Sequence, residues 1–410
     1  MRGRPLLYTS YPEEMRLFPT TTKRVAVILL LIVLILLPLK ALPGLGFLGD
    51  SAWLILIDRA LIFAVAALGL NLLTGVAGQV SLGHAFFMAV GAYTAVLIGG
   101  EPGNTVWGLE LPMWIWLPAA GLVAALIGIL VAPTAVRVRG LYLAFVTLGL
   151  VFIGLYLWTN LGKIAGGPTT GRPWPPLELA LWRGQEPLIS FATDGPWFGV
   201  ELVREAKAYF FLLGVVIVFA LLAKNLMRTR IGRSWASIRD RDIAAEVMGV
   251  AEARGKTQAF AVSSFFAGVA GALLASFIGR RIPTSWDLFL SVVFIAIILI
   301  GGAGTVSGTF LGTIFVVLIP RVVEDFTLSL SELAAGDGVF SSIANLIVAT
   351  GPEDFGLVST TAAGPGLSIF QLNVALFGVL IIVFLIFEPL GLYGIWIRIR
   401  NYWKAWPFSY

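Results

Sequence analysis

"RTRIGRSWASIRDRDIAAEVMGVAEARGKTQAF", residues 228–260, decides how the rest of the chain is read. It holds seven Lys/Arg and four Asp/Glu inside a chain that is 58% hydrophobic and only 12% charged. At the centre of a bilayer each Arg or Lys costs roughly 2.5–3.5 kcal/mol, while an apolar residue returns only about 0.3–0.6 kcal/mol. The few Val, Ile and Met of this segment cannot offset seven such charges. It is a loop in water, and the oily segments on either side of it become the spans.

Working outward, the 410 residues have a mean hydropathy of +0.92. A soluble domain carries roughly 25% charged residues, so the profile is that of a membrane protein. Glycine is abundant at 46 residues, which suits close helix packing in lipid, where small residues let backbones approach. With no cysteine, a disulfide, a thiol nucleophile and a Cys-ligated metal are excluded. A single histidine excludes a His-rich metal site. The net charge of +5 does not point to nucleic acid; its placement along the chain is what matters.

A helix needs about 20 apolar residues to cross ~30 Å of hydrocarbon. Ten segments qualify: 25–42, 53–73, 79–99, 114–135, 141–159, 208–226, 258–278, 288–302, 306–323 and 372–388. Only a short Gly-rich break divides 288–302 from 306–323. The first span is too deep in the chain, and lacks the small-residue cleavage site, to be a removed signal peptide. The expected fold is therefore an all-α polytopic membrane protein of about ten transmembrane helices.

Lys/Arg placement sets the orientation. The tail 1–24 holds Arg2, Arg4, Arg16, Lys23 and Arg24. Alternate crossings put Arg137/Arg139, the charged loop 227–257 and the tail 391–410, with Arg398, Arg400 and Lys404, on that same side. The other side receives Glu101, Glu110, the balanced loop 163–207 and the segment 324–371, with Glu324, Asp325, Glu332, Asp337, Glu353 and Asp354. Both termini are thus expected in the cytoplasm. Arg280/Arg281 fall outside as the exception, either snorkelling to lipid phosphates or greeting an acidic protein surface. Asp58/Arg59 read as an interfacial ion pair, and Trp107, Trp114, Trp116, Trp396, Trp403 and Trp406 as interface anchors.

The charged loop has no proline between Arg228 and Phe260 and mostly good helix formers, punctuated by Gly232 and Gly249. Ala245 and Gly249 stand four apart, so a helix would put them on one smooth strip. Ile238, Met248 and Val250 lie around it, with Arg239, Arg241 and Asp242 at the rim. Two uses fit: docking onto a soluble partner, or lying on anionic lipid. "GVAEARGKT" (249–257) imitates a phosphate-binding G-x-x-x-x-G-K-[ST] loop. Its spacing is wrong by one residue, and it precedes a membrane helix rather than following a strand. If ATP drives this protein, another chain binds it.

Within the spans, "GVAGQVS" (75–81) and "GGAGTVS" (301–307) agree at five of seven positions and fall on the same side, as an internal duplication would arrange; coincidence in a Gly-rich chain is the other reading. Gly304, Gly308 and Gly312 form a G-x-x-x-G ladder, read as a helix-packing face. Asn71, Gly75, Gly78, Gln79, Ser81 and His84 put polar groups and helix-breaking glycines near the membrane. Such groups either mark a translocation path or cap helix ends, and His84 by itself reads as a packing residue.

"LGLNLLTGVAGQVSLGHAFFMAVGAYTA" (68–95), "RGLYLAFVTLGL" (139–150), "ILIGGAGTVSGTFLGTIFVVLIP" (298–320) and "FEPLGLYGIW" (387–396) resemble, in order, the signature segments of the branched-chain amino-acid ABC transporter permeases (the Leu/Ile/Val permease family, LivM type). The likeness runs from about residue 55 to 396. The charged loop resembles the importers' cytoplasmic coupling loop, E-A-A, three residues, then Gly: Ala244, Ala245 and Gly249 fit, while Ile243 stands where the acid belongs, with Asp242 beside it. "AGGPTTG" (165–171) matches the family only loosely, and 324–370 is longer than the family usual.

The resemblance implies a membrane subunit of an importer that pairs with a second, related permease subunit. Two ABC ATPase subunits would bind ATP and Mg, none being held on this chain, and would dock on Gly232, Arg233, Arg239, Asp242, Ala244, Ala245 and Gly249. A periplasmic or lipid-anchored binding protein would deliver the amino acid across a bacterial inner membrane; urea, other amides or other amino acids are the alternative cargo. No catalytic or metal site is expected. A self-contained secondary transporter would need ionisable residues in mid-span for its coupling ion, and the spans contain almost none.

Overall fold

The computed structural model describes residues 21–40, 46–103, 106–138, 140–167, 169–197, 200–334, 348–349, 358–359 and 367–405. Arg2, Arg4, Arg16, Arg139, Asp337, Glu353, Asp354 and Trp406 lie outside the described residues.

Each expected span overlaps a helix. In order these are α1 Thr21–Leu36, α2 Ser51–Leu70, α3 His84–Gly99, α4 Met113–Arg137, α5 Leu141–Asn160 and α6 Arg204–Arg228. The charged loop forms α7 Arg230–Asp240 and α8 Asp242–Val247. Then follow α9 Glu252–Ile278, α10 Leu288–Gly301, α11 Val306–Ala334, α12 Ile369–Phe387 and α13 Gly391–Ala405. Among the described residues seven segments are long and apolar enough to cross a membrane, and 84–99 and 374–384 are shorter apolar helices. Their outer faces expose large apolar side chains such as Leu130, Tyr142, Phe145, Ile386 and Phe387, a belt that water would not tolerate and lipid would.

A boundary and an anchor differ from expectation. The span ending at 323 continues as helix to Ala334. The apolar run stops there, but Arg321 pairs with Glu324 (3.8 Å) and Asp325 (3.1 Å) one turn on, which supports continued helix. Trp116 is no interface anchor: it is 2% exposed and packs against Gly99. Trp107, Trp114, Trp396 and Trp403 are exposed.

The core is organised around α9, whose small residues let neighbours touch its backbone. A β-carbon on Gly271 would lie 2.0 Å from the Met88 carbonyl, and one on Gly91 would lie 2.1 Å from the Gly268 carbonyl. Gly268 in turn abuts Ala120 and Ala124 on α4, and Gly69 on α2 abuts Ser263 and Phe266. In lipid, where no hydrophobic effect drives helices together, such close approach is the main adhesive. The hairpin of α10 and α11 repeats the device: β-carbons on Gly308 and Gly312 would strike the carbonyls of Gly301 (2.6 Å) and Ile297 (2.1 Å). Gly304 does not belong to that face. It precedes α11, in the break between the helices, with φ +78°.

In the loop 163–207, expected on the outer side, Arg172, itself buried, donates to the carbonyls of Trp107 (2.7 Å), Ile164 (3.2 Å) and Glu101 (3.3 Å). Burial pulls its guanidinium below the ordinary arginine range. Residues 172–173 pair antiparallel with 280–281, and Arg280 donates to the Thr170 carbonyl at 3.3 Å. Asp58 and Arg59 are not a pair. Successive helix residues point about 100° apart: Asp58 is fully buried, with neither carboxylate oxygen hydrogen-bonded to a described residue, whereas Arg59 lies over the Phe63 ring.

Candidate functional site

The C-terminal ends of α2 and α10 both run into a glycine motif. After Leu70 the first helix widens into a π turn over Asn71–Val76, with Ala77 N–H bonded to Leu72 O and Gln79 N–H to Leu73 O, both at 3.0 Å. Such wide turns are rare and concentrate at functional sites. Asn71 is buried and bridges to the other break: its Oδ1 accepts from Gly304 N–H at 2.7 Å and its Nδ2 donates to Thr305 O at 3.2 Å. It thereby satisfies backbone groups that the break leaves without helical partners. Only glycine fits at position 75, where a β-carbon would lie 2.3 Å from both Asn71 Oδ1 and Gly304 N.

The remaining path candidates serve the same irregular stretch. Gln79 Nε2 donates to Ala77 O (3.2 Å) and Ser81 Oγ accepts from Gly83 N–H (3.3 Å). His84 Nε2 sits 2.9 Å from Ala66 O; a carbonyl only accepts, so that nitrogen carries the proton. Its ring meets Phe294 edge-on. Two residues that sequence reasoning missed complete the set: Thr147 Oγ1 accepts from Leu82 N–H (2.9 Å) and Ser291 Oγ from Ala85 N–H (3.0 Å). Both stand in otherwise apolar spans, where nothing in the local pattern distinguishes them.

Over these breaks lies the charged arm, α7 and α8. Trp235 and Ile238 are buried beneath it, Ile238 seated on Gly255. Gly232 is buried at the α6–α7 bend, where a β-carbon would lie 2.4 Å from Leu226 O. Arg233 is exposed. Arg239 Nη1 donates to Gly75 O at 2.7 Å and the same guanidinium pairs with Asp240 at 3.1 Å. Asp242 Oδ1 accepts from Ile243 N–H at 2.8 Å, at the start of α8.

The smooth strip expected from Ala245 and Gly249 is not what α8 presents. Ala245 is buried, and Gly249 lies past the helix end in a left-handed turn, φ +84°. A six-residue helix is too short to carry the expected i, i+4 strip onto Gly249. Its outward face is instead Ile243, Ala244, Val247 and Met248, with Ile243 66%, Val247 82% and Met248 83% exposed. The phosphate-loop imitation also dissolves: Gly255 and Lys256 are inside α9. The Lys256 ammonium is buried, bonded to Ala135 O (3.1 Å) and paired with Glu252 (2.6 Å). Among the described residues no group of three or more His, Cys, Asp or Glu could hold a metal ion.

Apolar helices with lipid-facing side chains, and a charged arm on one face only, define a multi-pass membrane protein. The model of the family described as "Branched-chain amino acid transport system / permease component" matches residues 53–387, and the chain belongs to that family. It is 32% identical over 288 residues to the high-affinity branched-chain amino acid transport system permease protein LivM of Salmonella typhimurium, covering 67% of this chain and 66% of that one. The Escherichia coli protein of the same name is 33% identical over 292 residues, with the same shares. The autoinducer 2 import system permease protein LsrC of an Enterobacter species is 29% identical over 300 residues, 71% of this chain and 79% of that one. The chain thus spans about two thirds of the length of the LivM relatives it matches. No solved structure matches it.

Proposed function

We propose that this chain is the membrane subunit of an ATP-binding-cassette importer, carrying branched-chain or related hydrophobic amino acids into the cell. In this reading ten helices cross a bacterial inner membrane with both termini in the cytoplasm, and a second, related permease subunit completes the pathway. Two ATPase subunits bind ATP and Mg, and a periplasmic or lipid-anchored binding protein delivers the substrate.

The observation that carries this reading is the outward face of α8. Ile243, Val247 and Met248 stand exposed on an arm otherwise rimmed by charge. A cluster of large apolar side chains of this kind on a water-facing element fits a protein partner. Among the described residues, several long-range hydrogen bonds agree with the ten-crossing alternation, since each joins loops or span ends assigned to one side. Arg239 to Gly75, Asn71 to Thr305 and Lys256 to Ala135 are inner, while Arg172 to Trp107 and Arg280 to Thr170 are outer. The substrate follows the names of the LivM relatives.

The test is reconstitution of the chain in liposomes, with and without the ATPases and binding protein that co-purify with it. ATP-dependent uptake of labelled leucine, isoleucine or valine is expected only from the full set. Uptake by the chain alone, or a preference for autoinducer 2 over these amino acids, would overturn the reading.

A further inference from the structure

The motifs Gly75–Ser81 and Gly301–Ser307, so alike in sequence, meet on the inner face. Their fourth positions, Gly78 and Gly304, share a left-handed backbone, φ +69° and +78°. Gly75 lies against the Gly304 backbone, and Asn71 bonds across the seam. A single side chain from the arm closes over this junction. Arg239 donates to Gly75 O, and its stem rests on Gly78, where a β-carbon would be 2.5 Å from Arg239 Cγ.

We propose that Arg239 is a positioning residue, a latch that ties the cytoplasmic arm to the paired glycine motifs and holds the inner end of the bundle shut until the arm moves. The Gly75 carbonyl is one of the acceptors that a helix end leaves without an internal donor, and the negative end of the helix favours a cation there. Asp240 holds the guanidinium in place by its ion pair. A planar fork can serve carboxylate and carbonyl together; a lysine ammonium has no such fork. A cleft of about 210 Å³ between Gly78–Val80 and Arg239–Asp242 leaves the arm room to shift. The latch rests on the reading that a motor docks on α8. Pulling α7 with α8 would release both glycine contacts in one movement.

The chain has no cysteine, so one introduced thiol reports on this seam without background. Ala77→Cys sits in the first motif, at a position 2% exposed; Ala272→Cys, at a fully buried position in α9, is the control. In the full chain in membranes, N-ethylmaleimide should label the thiol at position 77 slowly. Labelling should run at least tenfold faster with Arg239→Ala, and at an intermediate rate with Arg239→Lys. The control thiol in α9 should stay protected throughout. Equal rates at position 77 with and without Arg239 would overturn the latch. So would a parallel rise in the control, which would make Arg239 a general stabiliser. In the reconstituted complex Arg239→Ala should lower uptake at least tenfold while ATP hydrolysis continues. The labelling is read on this chain without its partners, so equal rates sink the latch and leave the importer reading standing. Absent ATP-driven uptake by the unaltered complex would instead sink the importer reading, and with it the motor that releases the latch, whatever the labelling rates.

Discussion

The two faces of the molecule are built on opposite plans. On the side proposed as outer, Arg172 is buried and its guanidinium binds three carbonyls from two separate stretches, at Trp107, Ile164 and Glu101. The pairing of 172–173 with 280–281 adds a third stretch. On the side proposed as inner, the arm is held by buried Trp235 and Ile238 and by the Arg239 bond, and it leaves Ile243, Val247 and Met248 exposed. Arg172 thus ties loops to one another on the proposed outer side, although Leu181, Trp182 and Leu188 stay exposed there; on the proposed inner side, one short arm gathers Ile243, Val247 and Met248 at its tip.

The strongest way to break this contrast is to replace Val247 and Met248 together by Asp. If the inner face is a docking surface, each loses about 1.4 kcal/mol of association, so ATPase capture and ATP-driven uptake should fall roughly a hundredfold. The thermal midpoint should not move, because both side chains are exposed in this chain. Unchanged capture would mean that α8 faces something else. Next in size, Arg172→Ala should destabilise the fold by about 2 kcal/mol, since charge-assisted bonds to buried carbonyls are lost. This is read as a lower unfolding midpoint in detergent, with Arg172→Lys recovering part of it. A midpoint equal to the parent's would dissolve the claim that the outer face is tied down. The smallest effect belongs to Gly249→Ala. With nothing within 4 Å of the added carbon, only the left-handed backbone matters, at about 1 kcal/mol. It should appear as faster limited proteolysis between α8 and α9, with no change at the outer loops.

The helical segmentation was legible in the sequence because twenty apolar residues in a row have few other uses. The break between α10 and α11 could be read too, from its glycines. What escaped was anything depending on partners far along the chain. Asn71 was singled out as polar and near the membrane, but its bond to Gly304 spans 233 residues, and no local pattern announces it. Ala245 and Gly249 were placed on one strip by helical spacing, and that failed because α8 stops before Gly249 can share its face. Arg172 looked like one charge in a balanced loop; only packing makes it the centre of that loop. The Gly304 ladder misled for the opposite reason: a perfect i, i+4 spacing began two residues before the helix did.

Helix α11, with its 29 residues, is about 43 Å long at 1.5 Å per residue, against roughly 30 Å of hydrocarbon. Even leaning by about 20° it is taller than the oil by some 10 Å. In the orientation proposed, Glu324 and Asp325 come about 27–29 Å along the helix, at the outer edge of the oil, and only the last turns, bearing Glu332, rise past it. A soluble carrier approaching from that side would meet negative charge at a fixed height before it reached lipid.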